Sequence, residues 1–138
     1  VQGSLVLDYL KDWNKVFKEV RRVLKNKGFF IFSIGNPVSE VTKKIITNRK
    51  KLRVLGINDY FDEKVYYANW VFENGLKVKV PSYHKTYETI IKIILKNGFE
   101  IVDYKDAYPS KLGKKYFPKD YAIYSKIPYF CVWKVRKN

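Results

Sequence analysis

Residues 15–34, KVFKEVRRVLKNKGFFIFSI, constrain the fold more than any other stretch of this chain. Val16, Val20, Val23 and Leu24 recur at helical spacing on one face with lysine and arginine opposite, the pattern of a basic amphipathic helix. The spacing predicts a helix over 12–27, with Asp12 as N-cap, or Asp8 if the helix starts earlier. Gly28 is expected to close it as a left-handed cap, with Lys25 and Lys27 at the negative end of the helix dipole. Phe29, Phe30, Ile31, Phe32 and Ile34 then make an apolar run, the pattern of a strand covered on both faces.

The remaining elements follow from punctuation and period. Gly35-Asn36-Pro37 stops the strand, and Val41, Ile45, Ile46 and Leu52 among lysines and Arg49 predict a helix over about 38–54. Glu73-Asn74-Gly75 between apolar stretches at 66–72 and 76–80 predicts a β-hairpin with a primed turn. A further helix over 86–97 is expected to bury Tyr87, Ile90, Ile91, Ile94 and Leu95, with Thr86 as its N-cap and Asn97-Gly98 as its stop. Strands are expected at 99–104 and 129–135, joined through a loop at 105–120 that carries Pro109, Gly113 and Pro118.

A chain of 138 residues builds one core and reads as a single domain, and 46% hydrophobic residues support a globular one. No apolar run reaches the length of a membrane span, and LVLDYL is too short for a signal peptide, so the expected setting is cytoplasmic with no membrane partner. The sequence has no Met, so either an initiator has been removed or it begins inside a longer chain. The lone Cys131 in YFCVWKV reads as a small buried strand residue, and a single histidine excludes a His-based metal site. A formal charge of +15 admits a nucleic-acid partner, best served by Lys43, Lys44, Arg49, Lys50, Lys51 and Arg53. The excess of lysine over arginine and the lack of an RNA-type aromatic platform favour an ordinary solvated surface instead.

The order of segments resembles a known family. LVLDYLKDWNKVFKEVRRVLKNKGFFIFSIGNP is similar to the end of strand four, helix D and strand five of class I S-adenosylmethionine-dependent methyltransferases of the type 11-like group. YHKTYETIIKIILKNGFEIVDY resembles helix E and strand six, and AYP with DYAIYSKIPYFCVWKVRK resembles the closing loop and strand seven. Residues 38–81, with YFDE and Trp70, resemble the variable insertion that caps the substrate. The resemblance implies an α/β fold, the C-terminal portion of a Rossmann-like methyltransferase core lacking the N-terminal cofactor-binding strands. It implies S-adenosylmethionine as cofactor and a small-molecule methyl acceptor. The family's Gly-rich loop after strand one and acid after strand two have no counterpart here, so the isolated chain is expected to bind cofactor weakly and to be inactive alone. A truncated, non-enzymatic basic module acting on nucleic acid is the alternative.

The resemblance also implies site residues. His84, in Tyr83-His84-Lys85-Thr86, takes a position facing the substrate cavity, as general base or as orienter of a nucleophile. A capping-loop histidine with a structural hydrogen bond is the competing role. Tyr9 and Tyr83 would supply aromatic walls suited to a sulfonium or an amine. Tyr60 and Trp70 would form a lid, or Tyr66, Trp70 and Phe72 would simply pack the hairpin. Ser4 and Leu5 stand at the end of strand four, where cofactor and substrate meet. Asn36 would also contact substrate; it and Asp8 stand where relatives often carry His. With strands one to four absent, the strand at 29–34 is expected to be an open sheet edge, to be covered by a second copy, by a chain supplying the missing half, or by a rearranged segment.

Overall fold

The computed structural model describes residues 1–41 and 59–138. The chain runs through β1 (Gln2–Ser4), a 3-10 turn (Leu7–Tyr9), α1 (Trp13–Val23), β2 (Phe29–Gly35) and α2 (Pro37–Val41). After the undescribed stretch come β3 (Val65–Val71), β4 (Lys77–Tyr83), α3 (Tyr87–Lys96) and β5 (Phe99–Asp106). Two short helices, α4 (Lys111–Tyr116) and α5 (Pro118–Tyr124), lead to β6 (Phe130–Lys137). Most of the helix expected over 38–54, and the whole basic cluster from Lys43 to Arg53, lie outside the described residues. Among the described residues, no helix is long and apolar enough to cross a membrane.

The sheet order is β1-β2-β6-β5, with β1 and β2 parallel and both other pairings antiparallel. The hairpin β3–β4 stands apart as a separate two-stranded sheet. Helices α1 and α3 pack on the four-stranded sheet through an aromatic core. Phe17, wholly buried, meets Phe30, Phe32 and Phe99 edge-on at 5.5, 5.6 and 5.6 Å. Trp13, Ile90, Ile94 and Trp133 complete the same cluster.

Several expectations are corrected. β2 is not covered on both faces: Phe30, Phe32 and Ile34 point into the core, whereas Phe29 and Ile31 are 39% and 40% exposed. An apolar run carries no record of which face is covered, and the ammonium of Lys134 lies over the Phe29 ring at 4.7 Å. Nor is β2 a sheet edge. β1 pairs with it in register from Gln2↔Ile31 to Ser4↔Ser33, and β6 takes its other side, so the surface expected to recruit a partner is already paired within the chain.

The punctuation residues act differently from expectation as well. Lys27, not Gly28, adopts the left-handed conformation, at φ 61°. Gly28 is required by crowding instead, since a Cβ there would meet the Lys25 carbonyl oxygen at 2.8 Å. The hairpin turn is not primed. Gly75 N–H donates to the Phe72 carbonyl at 2.9 Å and only Gly75 has positive φ, giving an ordinary turn closed by a glycine bulge. α3 buries Ile90, Ile93 and Ile94 and leaves Ile91 and Leu95 exposed, a face rotated from the expected one. Within the expected loop at 105–120, Ser110 accepts from Gly113 N–H at 3.2 Å and caps α4, while Pro118 opens α5.

Candidate functional site

The parallel pair β1 and β2 brings two chain exits side by side. The chain leaves β1 through Leu5 into the Leu7–Tyr9 turn, and leaves β2 through Gly35 into α2. Carboxyl ends of parallel strands are where open α/β sheets hold ligands. Here they frame a cavity of about 500 Å³. Leu5, Asp8 and Tyr9 line it from the first exit, and Gly35, Ser39 and Glu40 from the second. Tyr67, Ala68, Asn69 and Trp70 of β3 with Ser82 of β4 close it from the hairpin, and Tyr129 and Phe130 from the start of β6.

The floor is polar and tightly built. Gly35 N–H donates to Asp8 Oδ2 at 2.9 Å. Glu40 Oε2 lies 2.6 Å from His84 Nδ1, and His84 Nε2 lies 2.8 Å from the Tyr60 carbonyl oxygen. Both ring nitrogens thus face oxygens, an arrangement that suits the protonated ring, which donates from both. Burial works against its charge, but the Glu40 carboxylate and the Tyr60 carbonyl outweigh it and raise its pKa. Burial pushes the Asp8 carboxyl up to about 7, with Glu40 adding to the rise and the Gly35 N–H, His84 and Lys85 opposing it.

The hairpin and the segment before it are held over this floor by named contacts. Tyr9 meets Trp70 edge-on at 6.0 Å. Tyr60 Oη accepts from Tyr87 N–H at 2.8 Å, and Glu63 Oε1 accepts from both the N–H and the hydroxyl of Thr86 at 2.8 Å. Thr86 in turn accepts from Thr89 N–H and caps α3.

The residues singled out from sequence fall into two groups. Leu5, Tyr9 and Trp70 meet on the cavity wall. His84 and Tyr60 stand one layer behind Glu40, and Tyr83 is half-buried in a narrow recess with Asp8, Glu40 and Lys85. Ser4 is exposed at the end of β1, its hydroxyl 3.4 Å from that of Ser33. Asn36 turns away from the cavity: its Oδ1 accepts from Val38 N–H at 3.1 Å and Ser39 N–H at 3.4 Å, and its amide donates to Asp106 at 2.9 Å. Asp106 also accepts from Tyr104 Oη, which lies 2.7 Å from Tyr87 Oη. Cys131 is fully buried, and burial pushes its thiol up to about 11, an inert strand residue as expected.

Asp8 and Glu40 are the floor residues the sequence reading did not place in the site. Asp8 drew notice only as an alternative N-cap and as a departure from the family pattern. The available signal was an acid directly after a strand end, matched by another in the first turn of the helix after Gly35-Asn36-Pro37.

The described residues do not make a cradle for the implied cofactor. Gly35 is the glycine that follows a strand and precedes a helix, yet the place of its Cβ is filled by Glu40 Oε1 at 2.6 Å. That leaves no open backbone approach for the cofactor's amino-acid part.

The family model for a methyltransferase domain matches residues 2–32. None of the curated proteins matches the sequence. Among solved structures, one described as a candidate S-adenosylmethionine-dependent methyltransferase from Listeria monocytogenes is 27% identical, with a TM-score of 0.76 over 100% of this chain and 60% of its own. The S-adenosylmethionine-dependent methyltransferase from Mesorhizobium loti is 22% identical, with a TM-score of 0.72 over 99% of this chain and 60% of its own, and shares the fold. The chain therefore spans about 60% of the length of these relatives. β1-β2-β6-β5 stand where the sequence resemblance puts strands four, five, seven and six, and these matches show that the chain is similar to S-adenosylmethionine-dependent methyltransferases and shares their fold.

Proposed function

We propose that the chain forms the acceptor-binding part of an S-adenosylmethionine-dependent methyltransferase acting on a small molecule. The observation that carries this reading is the cavity of about 500 Å³ between the carboxyl ends of β1 and β2 and the capping hairpin. Its size falls in the range of small-molecule sites, roughly 300–1,000 Å³. Tyr9 and Trp70 supply the wall, and Ser4 and Leu5 mark the side from which the cofactor's methyl group would be presented. His84 acts as a positioning residue. Both its ring nitrogens are engaged, by the Glu40 carboxylate and the Tyr60 carbonyl, so neither is open to a substrate proton, and it fixes Glu40 at the floor. Tyr60 and Tyr83 support that pair from behind, and Asn36 fixes the start of α2. Tight cofactor binding calls for elements beyond the described residues.

Two titrations test the reading. Calorimetry with S-adenosylmethionine is expected to show weak or no binding to the 138-residue chain. A panel of small aromatic molecules is expected to change the fluorescence of Trp70, which lines the cavity while Trp13 and Trp133 are 1% and 3% exposed. Tight, saturable cofactor binding would refute the division of labour between acceptor and cofactor sides. Silence of Trp70 toward every small molecule would refute the acceptor site itself.

A further inference from the structure

We propose that the cavity takes a positively charged small organic molecule, an amine with an apolar body, its ammonium on Asp8 and its body against Trp70 and Tyr9. The proposal rests on the acceptor-site reading and names the chemical class the site selects. It begins from an inversion of charge. The chain carries 28 Lys and Arg against 13 Asp and Glu, yet the charged side chains lining the cavity among the described residues are Asp8 and Glu40, with no Lys or Arg.

The two acids are not equivalent. Glu40 is committed to His84 at 2.6 Å. Asp8 uses Oδ2 for the Gly35 N–H, and its Oδ1 has no protein donor among the described residues. Lys85 lies in the recess behind and holds its ammonium over the Trp13 ring at 5.5 Å. An ionised, half-buried carboxylate without a direct ion-pair partner is costly, so the site favours a ligand that brings one. The Tyr9–Trp70 pair places an aromatic wall next to that carboxylate, the second attraction an organic cation exploits. A neutral isostere would leave Asp8 unpaired, and an anion would face both acids.

The charge state of Asp8 depends on burial and on groups from several elements, the Gly35 N–H, Glu40 on α2, and His84 and Lys85 beyond β4, while burial and then the Asp8 charge hold the neighbouring Tyr9 phenol up. A bound ammonium joins the groups that favour ionisation. Amine affinity is therefore expected to rise from pH 6 to pH 8, through the region where Asp8 loses its proton.

The full chain would be titrated with benzylamine, benzyl alcohol and benzoate at pH 8 in 0.5 M salt, reading Trp70 fluorescence and calorimetric heat. Benzylamine is expected to bind at least about tenfold more tightly than benzyl alcohol, with benzoate weakest. The net positive surface attracts benzoate and repels benzylamine, so this order cannot arise from general electrostatics. Asp8→Asn is expected to abolish the preference while leaving the fold intact by circular dichroism, and Asp8→Ala to repeat the effect. Equal binding of amine and alcohol, or a preference that survives both substitutions, would overturn the proposal and leave the acceptor cavity standing. Failure of all three probes to reach Trp70 would overturn both.

Discussion

The two sides of this molecule are held together by different physics. Beneath the sheet, α1 and α3 are locked by interpenetrating aromatic and aliphatic side chains, with Phe17 at the centre of three rings. Above the strand ends, the capping hairpin and its approach are fastened by a few polar contacts between residues far apart in sequence: Glu40 to His84, His84 to Tyr60, and Glu63 to Thr86. The first side is a dry core whose strength is distributed. The second is a set of single fasteners around a cavity, each removable by one substitution. A ligand site needs the second kind of construction, because a fully packed interior leaves no room for a guest.

Substitutions should expose this contrast in order of size. Phe17→Ala is expected to cost about 4 kcal/mol in denaturant unfolding, since it empties the middle of the aromatic cluster. His84→Leu is expected to cost about 3 kcal/mol and to change Trp70 fluorescence, because it strands the Glu40 carboxylate beneath the cap. If His84→Leu proved as silent as a surface change, the cap would not depend on this fastener.

The pH dependence separates the two titrating groups. Asp8 has its folded pKa raised to about 7 from an ordinary 3.8, so the folded chain keeps this proton longer than the unfolded one. Stability attributable to Asp8 is complete below the ordinary value and falls as pH rises toward 7. His84 is also raised, so its contribution is complete below its ordinary value of 6.5 and is lost as pH rises through the higher folded value. Asp8→Asn is therefore expected to stabilise the chain by about 2 kcal/mol at pH 8, seen as a Tm higher by roughly 5 °C, with little change at pH 4. An equal effect at both pH values would show that Asp8 is not the group responsible. Thr86→Ala, which removes the cap of α3 and a partner of Glu63, is expected to cost about 1 kcal/mol by thermal unfolding. Trp70→Leu should be the mildest, about 0.5 kcal/mol by the same measurement, since the Tyr9 contact is a single edge-to-face pair at a cavity rim.

Sequence foretold the dry side better than the capped side, for a physical reason. The period of Val16, Val20 and Leu24, the Asp12 and Thr86 caps and the Gly98 stop are local signals that act where expected, whereas Val23 of the same expected face is exposed. Which face of β2 is covered depends on layers elsewhere in the chain, so Phe29 and Ile31 misled. The Glu40–His84 pair spans 44 residues, and no local pattern announces it. The resemblance implies a substrate contact for Asn36, whereas its amide is held by Asp106, 70 residues away, a partner that no local pattern points to.

Leu5 carries the last consequence. It holds a left-handed backbone, φ 49°, at the point where the chain turns from β1 into the cavity wall. A side chain with a Cβ is disfavoured there by about 1 kcal/mol, and glycine would relieve it. An engineer optimising this chain for thermal tolerance would choose Leu5→Gly early, and would thereby open the wall of the cavity. At this position robustness and shape are traded directly against each other, so a library selected for stability and one selected for ligand retention should diverge first at Leu5.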